Sequence, residues 1–157
     1  MRLILSPLLA LALLAGCGGN GQPEAQAPAP AEAPAPAAPA EAPPSPDGPA
    51  DLAVPDVSTV STDPAVIAKG EAAFNARGCG ACHAFGSKLV GPDLTGVAER
   101  RTPTWIARMI RHPEQMTKRD PVAKDLFKTH MTQMTNQQVT DEELPAMIAF
   151  LASKKGQ

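Results

Sequence analysis

The sequence lacks tyrosine altogether, has one tryptophan and four phenylalanines, and draws only 3% of its 157 residues from the aromatics. It also lacks length: 157 residues allow at most one ordinary domain with appendages, which excludes large enzymes, multi-domain machines and polytopic membrane proteins. No strong charge of either sign is present; the formal net charge is −2, and nothing in that total suggests a nucleic-acid binder. Cysteine is scarce, at three residues, an odd number too small for a disulfide framework. The longest apolar run, Leu3 to Ala15, is interrupted by Ser6 and Pro7 and falls short of the about 20 residues that a bilayer-spanning helix needs.

What the chain has is proline, and eleven of its 18 prolines lie between residues 18 and 62. Ahead of that stretch, Arg2 and the apolar run suit the n- and h-regions of an export signal. The run ends in Leu14-Ala15-Gly16-Cys17, which resembles a bacterial lipobox, with Cys17 as the lipidated mature N-terminus. An ordinary cleaved signal with a chance cysteine is the alternative. The lipid reading explains an exported chain that keeps an unpaired thiol, and acyl chains at ~0.8 kcal/mol per buried CH₂ hold it stably. Residues 1–16 are therefore expected to be a signal peptide.

Residues 17–62 are expected to be a lipid-anchored, disordered tether. Gly18 to Thr62 alternates Ala-Pro with six acids (Glu24, Glu32, Glu41, Asp47, Asp51, Asp56) and no Lys or Arg. Such a composition buries too little apolar surface to offset chain entropy. Polyproline bias gives an upper reach of ~140 Å.

Residues 63–157 form the expected globular domain, and its start signals are all helical. Asp63-Pro64, Thr102-Pro103 and Asp120-Pro121 each set a capping oxygen before a first-turn proline. Thr140 followed by Asp141, Glu142 and Glu143 gives a fourth start. Helices are expected near 64–77, 103–111, 121–130 and 141–154, with Pro145 delaying or bending the start of the last. No strand alternation is evident.

The chemistry sits at Cys79-Gly80-Ala81-Cys82-His83. Two thiols three residues apart can each add to a vinyl group of one haem, and the adjacent imidazole can then bind its iron. A zinc ribbon would need a second ligand pair, for which no cysteine remains. A thioredoxin-type redox pair would need a βα setting. One covalent haem c per chain is the expected cofactor.

Around that motif the domain resembles a class I single-haem cytochrome c over nearly all of residues 63–157. Gly91-Pro92 resembles the family's loop, which implies that the Pro92 carbonyl accepts from Nδ1–H of the proximal His83. Gly70, Phe74, Met147 and Phe150 match the family's crossing of terminal helices. Leu89, Leu94, Trp105 and Ile106 are expected walls of the haem pocket, and Trp105 resembles the family's aromatic near a propionate. The resemblance places a methionine ligand before the last helix, although no Met-Pro occurs here. Met134 is the expected sixth ligand, with Thr135 in place of the proline; Met131, His130 and an open iron are the alternatives. Met109 and Met147 read as core, Met116 lies only 33 residues after His83, and His112 reads as a helix-end cap. Asn136 and Gln137 are candidate donors to a propionate or to the ligand sulfur.

Residues 63–157 hold 13 basic and 10 acidic residues, and eight of the basics fall in residues 100–128. They read either as a solvated face or as a docking patch for an acidic partner. The expected function is that of a non-enzymatic electron carrier, monomeric and lipid-anchored on the periplasmic side of a bacterial membrane. It would pass single electrons between respiratory redox proteins. The rivals are a haem enzyme or gas sensor with an open sixth position, and a cytochrome subunit of a periplasmic reductase or terminal oxidase complex.

Overall fold

The computed structural model describes residues 45–156; the signal, Cys17 and the tether up to residue 44 lie outside the described residues. Helix α1 spans Pro64–Ala76, a 3-10 turn Cys79–Ala81, and α2 Val97–Arg100. Three consecutive helices follow, α3 Pro103–Arg111, α4 Pro113–Arg119 and α5 Pro121–His130, before α6 Glu143–Ser153. Among the described residues there is no strand, so the all-α expectation holds.

The proline-marked starts behave as their chemistry requires. Side-chain oxygens of Asp63, Thr102 and Asp120 accept from the backbone N–H of Ala65, Trp105 and Ala123. Each satisfies a first-turn donor that the helix leaves unpaired. Thr140 and Glu143 form a reciprocal capping box: Glu143 N–H donates to Thr140 Oγ1 at 3.3 Å, and Thr140 N–H donates to Glu143 Oε2 at 2.9 Å. Regular helix begins at Glu143, the late start expected from Pro145. Helices α2 and α4 were not expected. For α4, Pro113 reads as easily as a stop for α3 as it does as the first residue of a new helix, which it proves to be.

The terminal helices α1 and α6 cross in close contact at Gly70. A Cβ there would lie 1.9 Å from the Ala146 carbonyl oxygen and 2.8 Å from Phe150 Cβ, so only glycine permits this approach. Phe74, Phe85 and Phe150 close the crossing, with ring centroids 5.4–5.7 Å apart. Arg77, capping α1, donates to both carboxylate oxygens of Glu143 at the start of α6, pinning the opposite end. Buried Leu144, Met147 and Ile148 carry the core inward from α6.

The expected tether boundary at residue 62 needs correction. Residues 45–62 lie against the helices, with Leu52 and Val57 buried in the same core. Compositional reasoning averaged over the proline-rich stretch and missed that its last part carries Leu52, Val54, Val57 and Val60, enough apolar area to dock.

Candidate haem site

The turn after α1 is what brings the two cysteines to one place. Gly78 adopts φ +69°, a left-handed conformation that ends the helix at low cost, and the chain then tightens into the 3-10 turn. N–H groups of Cys82 and His83 both donate to the Cys79 carbonyl. Both thiols are free, and Cys79, Cys82 and His83 line one mainly apolar cavity. Burial pushes the Cys79 thiol pKa above its ordinary value.

The following loop is folded back by polar ties. Asp93 Oδ1 accepts from the N–H of Gly86 and of Thr95, while Gly91 N–H donates to the Cys82 carbonyl at 2.8 Å. Those backbone donors hold the Asp93 carboxyl below its ordinary pKa. The result carries the Pro92 carbonyl to 3.0 Å from His83 Nδ1. A carbonyl only accepts, so Nδ1 bears the proton and Nε2 presents its lone pair. Gly91 is part of the same fitting: a Cβ there would lie 2.5 Å from His83 Cε1 and 2.8 Å from Nδ1.

The loop between α5 and α6 lines the same cavity with Thr132, Gln133, Met134 and Gln137. Met131 is not among the lining residues; it stands 79% exposed at φ +51°. Met116 is fully buried against Gly48 and Trp105, away from the cavity. Met109 and Met147, expected as core, also face it. His112 caps α3 as expected, and its Nε2 lies 2.7 Å from the Ala53 carbonyl. His130 lines the cavity.

Several expectations are corrected. Leu89 is 47% exposed and does not line the cavity, whereas Leu94, Trp105 and Ile106 do. Asn136 donates to the Arg111 carbonyl, and Gln137 to Thr135 Oγ1, so these amides fasten the loop. The basic stretch is largely engaged. Arg108 and Arg119 hold residues 47–52, Arg111 pairs with Asp141, and Lys128 pairs with Asp125.

A c-type haem fits this donor set. The cavity leaves about 1400 Å³ free of protein atoms, its open mouth included. Leu94, Ile106, Ile110, Leu126 and Leu151 give it apolar walls. Trp105 and His130 line it, and their Nε1 and Nδ1 atoms are buried with no protein partner among the described residues. Sequence reasoning had singled out Trp105; the orphaned state of His130 Nδ1 had no sequence signal.

Comparisons with known proteins agree with this geometry. The family model described as Cytochrome c matches residues 67–155. Cytochrome c from Rhodothermus marinus is 31% identical, with a TM-score of 0.58, and the match covers 68% of this chain and 89% of that one. An engineered cytochrome c from Rhodothermus marinus, Rma TDE, is 32% identical with a TM-score of 0.60, over 68% of this chain and 90% of that one. The same engineered protein bound to a carbene intermediate matches at 31% identity and a TM-score of 0.57, over 68% and 89%. No curated protein sequence matches this chain.

Proposed function

Because the chain belongs to the cytochrome c family, as a class I member carrying one covalent haem c, we propose that it is a membrane-tethered periplasmic carrier that passes single electrons between respiratory redox partners. The family supports the haem-based electron carrier; the anchor, compartment and partners are the proposal. Haem supplies an iron that alternates between ferric and ferrous states.

In this reading the chain's residues hold the haem, keep water from it and tether the domain. Cys79 and Cys82 would attach the group, and His83 would offer Nε2 while the Pro92 carbonyl fixes its orientation. Met134 would supply the second protein ligand to the iron. The apolar walls exclude water, which keeps reorganisation small when one electron moves. Cys17 carries the lipid, and the proline-rich segment before residue 45 lets the domain visit donor and acceptor near one membrane.

The observation that carries the reading is the pairing on one cavity of a tautomer-fixed His83 with Met134, while Met131 faces solvent. With Met134 on the iron no position would remain for a substrate, which is what separates this reading from the enzyme or sensor alternative. Met134→Ala should open the iron, admit external ligands and lower the potential, whereas Met131→Ala should leave the spectrum unchanged. The reverse pattern would overturn the ligand assignment. Cys17→Ser should move the protein from the membrane to the soluble fraction, and retention in the membrane would overturn the anchor.

A further inference from the structure

We propose that residues 45–57, docked as a strap over α3 and α4, are a working part of the haem pocket: they hold Trp105 in place and so keep the reduction potential high. The proposal rests on the haem occupying the cavity that Trp105 lines.

The strap touches Trp105 at Gly48 and holds its neighbours on α3, Thr102 and Arg108, on either side. Thr102 Oγ1 caps α3 by accepting from Trp105 N–H at 3.1 Å, and its own proton goes to Asp47 Oδ1 at 2.6 Å. The cap that starts the helix is therefore itself oriented by the strap. Gly48, at φ +78°, lies directly against Met116 and Trp105. A Cβ there would meet Met116 Cε at 3.0 Å and Trp105 Cδ1 at 3.5 Å. One turn further along α3, the Arg108 guanidinium donates to the backbone carbonyls of Asp47, Gly48, Ala50 and Leu52, at 2.9–3.3 Å. An arginine whose donors are spent on four carbonyls of six consecutive residues is a clamp on that segment.

Trp105 stands between two spaces. It lines the haem cavity on one side and, with Arg100 and Arg101, an outer groove that begins at Ser45 and Pro46 on the other. It is only 5% exposed, and the Arg101 guanidinium lies 5.4 Å from its ring centre. If the strap lets go, the indole loses its backing and water gains a path to the haem edge. Ferric haem carries one more positive charge than ferrous, so water at the edge favours the ferric state and lowers the potential.

Trp105 is the chain's single tryptophan, so its emission, quenched by a nearby haem, reports its position without ambiguity. Gly48→Val and Asp47→Ala should each raise that emission severalfold. Each should also increase the oxidised-to-reduced ratio at the wild-type midpoint severalfold. Asp47→Asn, which keeps an acceptor oxygen for Thr102, should restore both readings. In a Trp105→Phe background, Gly48→Val should move the potential no further than Trp105→Phe alone. Haem retained on the acid-denatured chain checks the cofactor separately from the strap. If the strap variants lower the melting temperature but leave emission and potential at wild-type values, the strap is only structural and the proposal fails. Additive shifts from Gly48→Val and Trp105→Phe would overturn it equally.

Discussion

The smallest features of the site are its least replaceable. Gly91 has no left-handed φ to justify it; its reason is the His83 ring, which occupies the space a methyl group would need. Gly91→Ala should therefore push the imidazole off the Pro92 carbonyl, loosening the tautomer lock and weakening the axial bond. A changed ferric spectrum and easier displacement by external imidazole would show it; a wild-type spectrum would contradict it. Gly70 is constrained more severely, because its Cβ would fall inside the contact distance of a carbonyl oxygen that cannot move without breaking α6. Gly70→Ala should cost about 3 kcal/mol or more, read as a drop in denaturant midpoint. The motif cysteines and His83 were legible as one contiguous signal, whereas Gly91, Pro92 and Gly70 were legible through the resemblance to the family. The role of Asn136 was not. Its partner is the Arg111 carbonyl, a backbone atom twenty-five positions away that no local pattern announces.

At the scale of the helices, polar ends do as much as apolar faces. Asp120 is 3% exposed and caps α5 through the Ala123 N–H at 2.8 Å, so Asp120→Ala should cost about 1–2 kcal/mol by thermal or chemical unfolding. The Arg77 guanidinium, donating to Glu143, holds that carboxyl below its ordinary value of 4.5. A depressed folded pKa contributes stability that is fully present above the unfolded value and lost as pH falls through the folded one. The melting temperature should thus decline as pH falls below about 4.5, and Glu143→Gln should flatten part of that decline. An identical acid profile in the variant would show that the α1–α6 pair carries none of it. Helix starts marked by Asp-Pro and Thr-Pro were readable because capping chemistry is local. Helix α4 was hidden because one proline, Pro113, both ends α3 and opens the next helix.

For the whole molecule, the folded unit begins well before the haem-attachment helix. Residues 45–62 continue the proline-rich stretch but add Leu52, Val54, Val57 and Val60; Leu52 and Val57 are buried and Asp51 pairs with Arg119 at 2.6 Å. That pairing also changes the electrostatic picture, because part of the basic stretch faces the chain's own acids. Of the basic stretch, Arg100, Arg101 and Arg108 spend donors on the chain's own carbonyls. Lys118 and Lys124, by contrast, have neither an ion pair nor a side-chain hydrogen bond among the described residues, so an acidic partner drawn to the stretch should depend on them. Lys118→Gln with Lys124→Gln should slow electron exchange with such a partner at low ionic strength and flatten its salt dependence. The haem spectrum should stay intact. Unchanged salt dependence would remove this face from docking.

In the proposed carrier the haem is closed and six-coordinate, with His83 and Met134 as its two protein ligands. The most direct test of that closure is the absorbance of the native ferrous protein at neutral pH, before and after exposure to carbon monoxide. A carrier with both axial positions filled should give the same low-spin spectrum in both conditions and bind the gas only after partial unfolding or in Met134→Ala. Ready formation of a carbon monoxide complex by the intact native protein would contradict the account and favour an open-site haem enzyme or sensor.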